Sequence, residues 1–306
     1  MGIPSRISVS PGTSPDDADM QCCFVSDLHG SPRRYERLFE AIAASPPDAV
    51  FLGGDLFPSG RRASGGRYSR WEVFFSECFV AGFRELRRTL GETYPRVFVI
   101  LGNDDRRSIE TELRNPEYSG FWTYIHAAWA SMQDCEVFGY SYVPPTPFRR
   151  KDWERYDVSR YLEAGAIAPE DGVFSVDVDL NEVRHRTIKD DLEELTEGRD
   201  LSVSIMLFHT PPWQTSLDRA ALDGVMVDHV PLDVHIGSIA VRRLILEKAP
   251  LITLHGHVHE AARITGRWKQ QLATTWCYTA AHDGKELALV RFNTYEPANA
   301  ERVLLP

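Results

Sequence analysis

Four short stretches stand in fixed order along this chain, Asp27-Leu28-His29, Gly54-Asp55, Gly102-Asn103 and His255-Gly256-His257-Val258-His259, with a lone His209 ahead of the last. Carboxylates, one amide and several imidazoles without a thiolate suit Mn²⁺, Fe, Zn²⁺ or Ni²⁺ better than Cu(I) or an iron–sulfur cluster. Two such ions about 3.5–4 Å apart would do chemistry that none of these side chains can do alone. They neutralise an anionic ester, hold the attacking oxygen and lower the pKa of bound water. Holding two cations close needs a bridging carboxylate on a rigid element. Asp55, behind a short apolar run, is the candidate.

The stretches are useful only if the fold brings them together. Each follows an apolar run that reads as a strand: Gln21–Ser26, Ala49–Leu52, Arg96–Leu101, Leu201–Phe208 and Leu251–Leu254. Between them, Tyr35, Leu38, Phe39 and Ile42 recur at helical spacing after Ser31-Pro32. Further helices are expected over Trp71–Leu90, Arg184–Leu195 and Gly237–Lys248, with a Gly- and Arg-rich loop at Pro58–Tyr68. Arg263–Phe292 alternates well enough for two or three antiparallel strands. This is the α/β pattern, in which ligands collect at the carboxyl edge of the sheet. Residues 1–19 read as a flexible tail and 20–306 as a single domain, with an irregular insertion at about 106–199.

Bulk properties narrow the function. The chain has 306 residues, 43% of them apolar, which suffices for a sizeable core. A net charge of −10 disfavours nucleic acid or an anionic membrane as partner, yet leaves a small phosphoester possible where metal ions dominate the local field. No stretch has the roughly 20 apolar residues of a membrane span. Five cysteines without regular spacing suggest reduced thiols and a cytoplasmic protein, with Cys22, Cys23 and Cys277 as buried structural groups.

The ordered set resembles the calcineurin-like metallophosphoesterases, over Gln21 to about Phe292. The resemblance implies two packed mixed β-sheets flanked by helices, and hydrolysis of a phosphoester by a hydroxide held between two divalent ions. By similarity Asp27, His29 and His259 serve the first ion, Asn103, His209 and His257 the second, and Asp55 both. His255 is expected to be structural or to support a ligand, while His126, His185 and His282 lie outside the set. His209-Thr-Pro-Pro-Trp213 and the sequence leading into His255–Glu260 look like a branch of phosphoesterases related to cyclic-nucleotide phosphodiesterases. That favours a phosphodiester, with cyclic nucleotides as candidates. A phosphomonoesterase, a nuclease, and a non-catalytic scaffold on the same fold are the alternatives.

The sequence departs from the family at one place. Members write Gly-Asn-His followed by an acid, and their His contacts the phosphate and protonates the leaving oxygen. Here Asp104 stands in its place. General acid, charged spectator and holder of a water are its open roles. The stiff stretch Pro144–Phe148, followed by Arg149-Arg150, makes Phe148 a candidate cleft residue. His229 and His235, flanking Leu232-Asp233, are candidates for substrate contact.

Overall fold

Short β-branched and aromatic runs, each ended by Gly, Asp or His, become the strands of two mixed sheets. The computed structural model describes residues 20–59 and 70–306. The expected tail at 1–19 and most of the expected loop at 58–68 lie outside the described residues.

In the first sheet β1 (Gln21–Val25), β2 (Ala49–Gly53), β3 (Arg96–Ile100) and β4 (Thr123–Tyr124) are parallel neighbours. β13 (Leu287–Asn293) pairs antiparallel with β1, and β14 (Glu301–Leu305) antiparallel with β13. In the second, β6 (Cys135–Tyr140), β7 (Ser204–Phe208), β10 (Ile252–His255) and β12 (Thr275–Thr279) run parallel. Antiparallel β5 (Ala128–Met132) and β11 (Lys269–Leu272) close its two edges. Each sheet has six strands.

Alternation along the strands sets the layers. Phe24, Phe51, Phe98 and Ile100 of the first sheet meet Ile205, Leu207, Ile252 and Leu254 of the second in one buried cluster. The opposite faces are covered by helices. Tyr35, Leu38 and Ile42 of the helix Pro32–Ala44, with Phe79 and Phe83, pack on Val25, Leu52 and Val99. Val241, Leu244 and Ile245 of the helix Ile239–Lys248, with Leu192, join Phe138, Met206 and Phe208. Each such side chain contributes roughly 1.5–3 kcal/mol by leaving water. The result is the helix–sheet–sheet–helix sandwich that the resemblance implied.

The helix expected over Arg184–Leu195 is two helices, Leu180–His185 and Ile188–Leu195. Thr187 breaks the run because its side chain and that of Asp190 form a reciprocal capping box. Trp71–Leu90 is helical throughout, with a π turn at Phe75–Val80. The C-terminal strands do not form one antiparallel set. β11 and β12 stay on the second sheet, while β13 crosses to the first to pair with β1. Segment 106–199 supplies β4, β5 and β6, so part of it is sheet.

Candidate metal centre

The carboxyl ends of β1, β2, β3, β7 and β10 converge, and backbone hydrogen bonds continue past the strands to lock their loops. Asp27 N donates to Gly54 O at 2.9 Å, His29 N to Asp55 O at 2.7 Å and Gly30 N to Leu56 O at 2.9 Å. Gly256 N donates to His209 O at 2.9 Å. At the bends, Asp27, His29, Asp55 and His257 take φ values of 58°, 48°, 53° and 72°. Left-handed backbone at non-glycine residues costs of order 1 kcal/mol or more each and clusters at functional sites.

These bends aim the side chains at one spot. His29 Nε2 lies 3.1 Å from His259 Nε2, and His259 Nε2 lies 3.2 Å from Asp27 Oδ1. Asp55 stands in the middle. Its Oδ2 is 3.8 Å from His29 Nε2, and its Oδ1 is 3.4 Å from His209 Nε2. His209 Nε2 is 3.1 Å from Asn103 Oδ1, and the His209 and His257 rings lie 5.3 Å apart. All seven residues expected to bind metal are therefore neighbours. One group is Asp27, His29 and His259, the other Asn103, His209 and His257, with Asp55 facing both.

The donor chemistry fits cations. Ligand atoms of Asp27, His29, Asp55 and His259 lie within 4.8 Å of one another. Two imidazole nitrogens and two carboxylate oxygens converging this closely are the donor types that a divalent cation takes. Burial opposes charge on Asp55, yet His209 and His29 outweigh it and hold the carboxyl down at about 2. Asp27 is buried too, and its hydrogen bond from His259 keeps it well below the usual carboxylate range. Burial disfavours charge on His209, but Asp55 and Asp27 push it up to about 9. His257 moves the other way, pushed down to about 3 by burial and by His209. Ligand orientation is fixed from behind. His209 Nδ1 meets Gly53 O at 2.8 Å, and Ser26 Oγ donates to Asp27 Oδ2 at 2.5 Å.

The other expected residues divide. Asp104 Oδ2 sits 3.5 Å from His29 Nδ1 and accepts from Ser59 Oγ at 3.1 Å. His255 spends both nitrogens on the protein, Nδ1 on Thr210 O at 2.9 Å and Nε2 on Thr253 Oγ1 at 2.8 Å. Phe148 and His235 line a cleft of about 440 Å³ that opens on Asp55, Asn103 and His257. His229 is not brought there. It lies exposed between β8 (Met226–Val227) and β9 (Val230–Pro231).

Asp105 is a residue that sequence reasoning misses. It is buried and accepts from Leu56 N, Phe57 N and Gly102 N at 2.8–3.1 Å. It thus ties the loop of Asp55 to that of Asn103. The acid after the third motif is the available signal. Asp218, buried, and Asp157, half-buried, clamp the loops around the cleft and carry no signal in the sequence.

The sequence profile of the calcineurin-like phosphoesterase family matches residues 20–261. A solved structure of the protein TT1561 from Thermus thermophilus is similar with a TM-score of 0.53 at 16% identity, covering 94% of this chain and 100% of that one. A dimetal phosphatase from Danio rerio matches with a TM-score of 0.49 at 11% identity, covering 94% of this chain and 99% of that one. At such identity the likeness to TT1561 speaks for the fold alone. Comparison with curated proteins found no match.

Proposed function

This chain belongs to the calcineurin-like phosphoesterase family of metal-dependent hydrolases, and we propose that it cleaves a small phosphodiester at a centre built for two divalent ions. The observation that carries this reading is Asp55, whose two carboxylate oxygens face different histidine groups at 3.8 Å and 3.4 Å. Asp27, His29 and His259 would hold one ion, and Asn103, His209 and His257 the other. When bound, the pair supplies charge neutralisation at the phosphate and a water acidic enough to attack at neutral pH.

The cleft supports a diester. Phe148, Trp213, Leu222 and Leu232 offer an apolar wall for an organic arm, which a cyclic nucleotide or another ester with an aromatic group could fill. Asp104, Glu163, Asp233 and Glu260 also line it. Burial and Asp233 push Glu163 up, the expected result of crowding two acids on one wall. A monoester brings a second negative charge towards these carboxylates. One extra charge about 7 Å from a carboxylate costs about 2 kcal/mol at an effective dielectric of 20. With Mn²⁺ present, kcat/KM on bis(4-nitrophenyl) phosphate should exceed that on 4-nitrophenyl phosphate by about thirtyfold. Preference for the monoester would overturn the diester reading, and turnover of neither would favour a non-catalytic scaffold.

Asp104 supports a metal ligand on this reading. Its carboxylate lies 3.5 Å from His29 Nδ1 and acts on that ring through charge, while Nε2 faces His259 and Asp55.

Phe148 is 61% exposed on the cleft wall, so its truncation costs the fold little. Phe148→Ala should raise KM for aryl diesters about three- to tenfold, in line with about 1 kcal/mol for an aromatic contact, with Tm unchanged. A lower Tm with an unchanged KM would make Phe148 a packing residue instead.

A further inference from the structure

We propose that His235, held by Asp218, protonates the leaving oxygen of the ester, the task that His at the position of Asp104 performs in relatives. The inference rests on the phosphodiesterase reading and adds a residue that the family pattern does not assign. Three histidines line the cleft among the described residues, His235, His257 and His259. The last two belong to the ligand set, so His235 is the imidazole left over. His235 lines the same cleft as Asp55, Asn103, His257 and His259, with no wall between them and the ring.

The ring is built in. Its Nδ1 donates to Asp218 Oδ1 at 2.8 Å. Asp218 is fully buried and also accepts from Gln214 N, Thr215 N and Gly237 N at 2.8–3.2 Å. A carboxylate gripped this way fixes the tautomer and orientation of its histidine, leaving Nε2 as the working nitrogen. No hydrogen bond engages Nε2 among the described residues, and the side chain keeps 28% exposure. The backbone on either side is tied to the loop that begins at His209. Ser238 N donates to Pro211 O at 2.8 Å, Trp213 N to Ser238 O at 3.0 Å and Ala220 N to Val234 O at 2.8 Å.

Asp104 is ill placed for this task, because its carboxylate faces His29 and Ser59. In the step assigned to His235, a water oxygen bonds to phosphorus and the bond from phosphorus to the leaving oxygen breaks. With the ring starting as the imidazolium and Nδ1–H still held by Asp218, the Nε2 proton passes to that oxygen, releasing an alcohol or phenol and leaving a neutral imidazole. The proton lost by the water goes to solvent, and the imidazole regains one from solvent.

General acids count most for poor leaving groups and are worth about 10²–10⁴-fold. The experiment compares methyl aryl phosphates of rising leaving-group pKa in wild type, H235Q and H235A. The expected result is a loss of a few-fold on the 4-nitrophenyl ester and about 10²-fold on the phenyl ester in both variants. Equal losses on both esters would overturn the proposal. A second readout needs no turnover. In the Zn²⁺-loaded protein the ¹⁵N resonance of His235 Nε2 should move on saturation with dimethyl phosphate. No movement would overturn contact between His235 and the ester. If the resonance moves while wild type hydrolyses neither ester, the phosphoesterase reading fails and the binding contact stands.

Discussion

Alanine at Asp55 is expected to remove both metal ions and to lower kcat/KM on any diester by about 10³-fold or more. Loss of the several kcal/mol that two cations supply to the transition state accounts for that factor. Each oxygen of Asp55 faces a separate histidine group, so one substitution subtracts a ligand from both positions. His259→Ala removes only the partner of His29 and Asp27, and should weaken mainly the first position. Metal content measured on the saturated proteins separates the cases: two ions in wild type, about one in His259→Ala and fewer in Asp55→Ala. A thermal shift gives an independent readout. Metal at 100 times its dissociation constant stabilises a native state by about 2.7 kcal/mol per site, and the Mn²⁺-induced rise in Tm should vanish in Asp55→Ala. Asp55→Asn controls for folding, since an amide oxygen can still accept the Asp104 N–H that Asp55 Oδ1 holds at 2.8 Å. Two ions retained by Asp55→Ala would refute a bridging role.

The residues proposed to hold metal were legible because their chemistry is local. A strand ended by Asp-x-His or Gly-His-x-His announces itself through residue type and position, and strand ends on one sheet edge must meet. Residues that hold the ligands were less legible. Asp105 reaches Leu56 and Phe57, about fifty positions earlier in the chain, and only the fold reveals that it spans two loops. Asp218 looks like any acid in a loop until the turn at Gly237 closes on it. Strand partners were also out of reach. The alternation in 263–292 is real, but which sheet a strand joins depends on packing across the sandwich. The expected long helix failed at Thr187 because a local capping box competes with apolar periodicity, and a charged eight-residue helix buries too little to override it.

The glycines of the motifs, which carry no ligand atom, lead to the sharpest structural prediction. The loops after β2 and β3 cross beneath the His209 ring with no room for a methyl group. A Cβ on Gly102 would lie 2.4 Å from Asp55 Oδ1, 2.5 Å from Asp55 N and 2.6 Å from His209 Cε1. One of these atoms is backbone and the other two belong to metal-site side chains, so a rotamer change cannot relieve the overlap without moving the site. Gly54, facing it, has φ +90° and leaves 2.7 Å to His209 Nδ1, so it cannot yield either. Gly102→Ala is expected to destabilise the chain by about 1–3 kcal/mol, the usual cost of overpacking. It should also weaken metal binding by about 10–100-fold, the range found when groups that orient ligands are disturbed. Gly120→Ala is the matched control, because its added Cβ meets nothing within 4 Å and its φ needs no glycine. Thermal melts of the metal-free proteins and Mn²⁺ titrations of each variant make the measurement. If Gly102→Ala melts and binds Mn²⁺ like Gly120→Ala, the loops have slack, and the close crossing of Gly54 and Gly102 does not hold Asp55 in place between the two histidine groups.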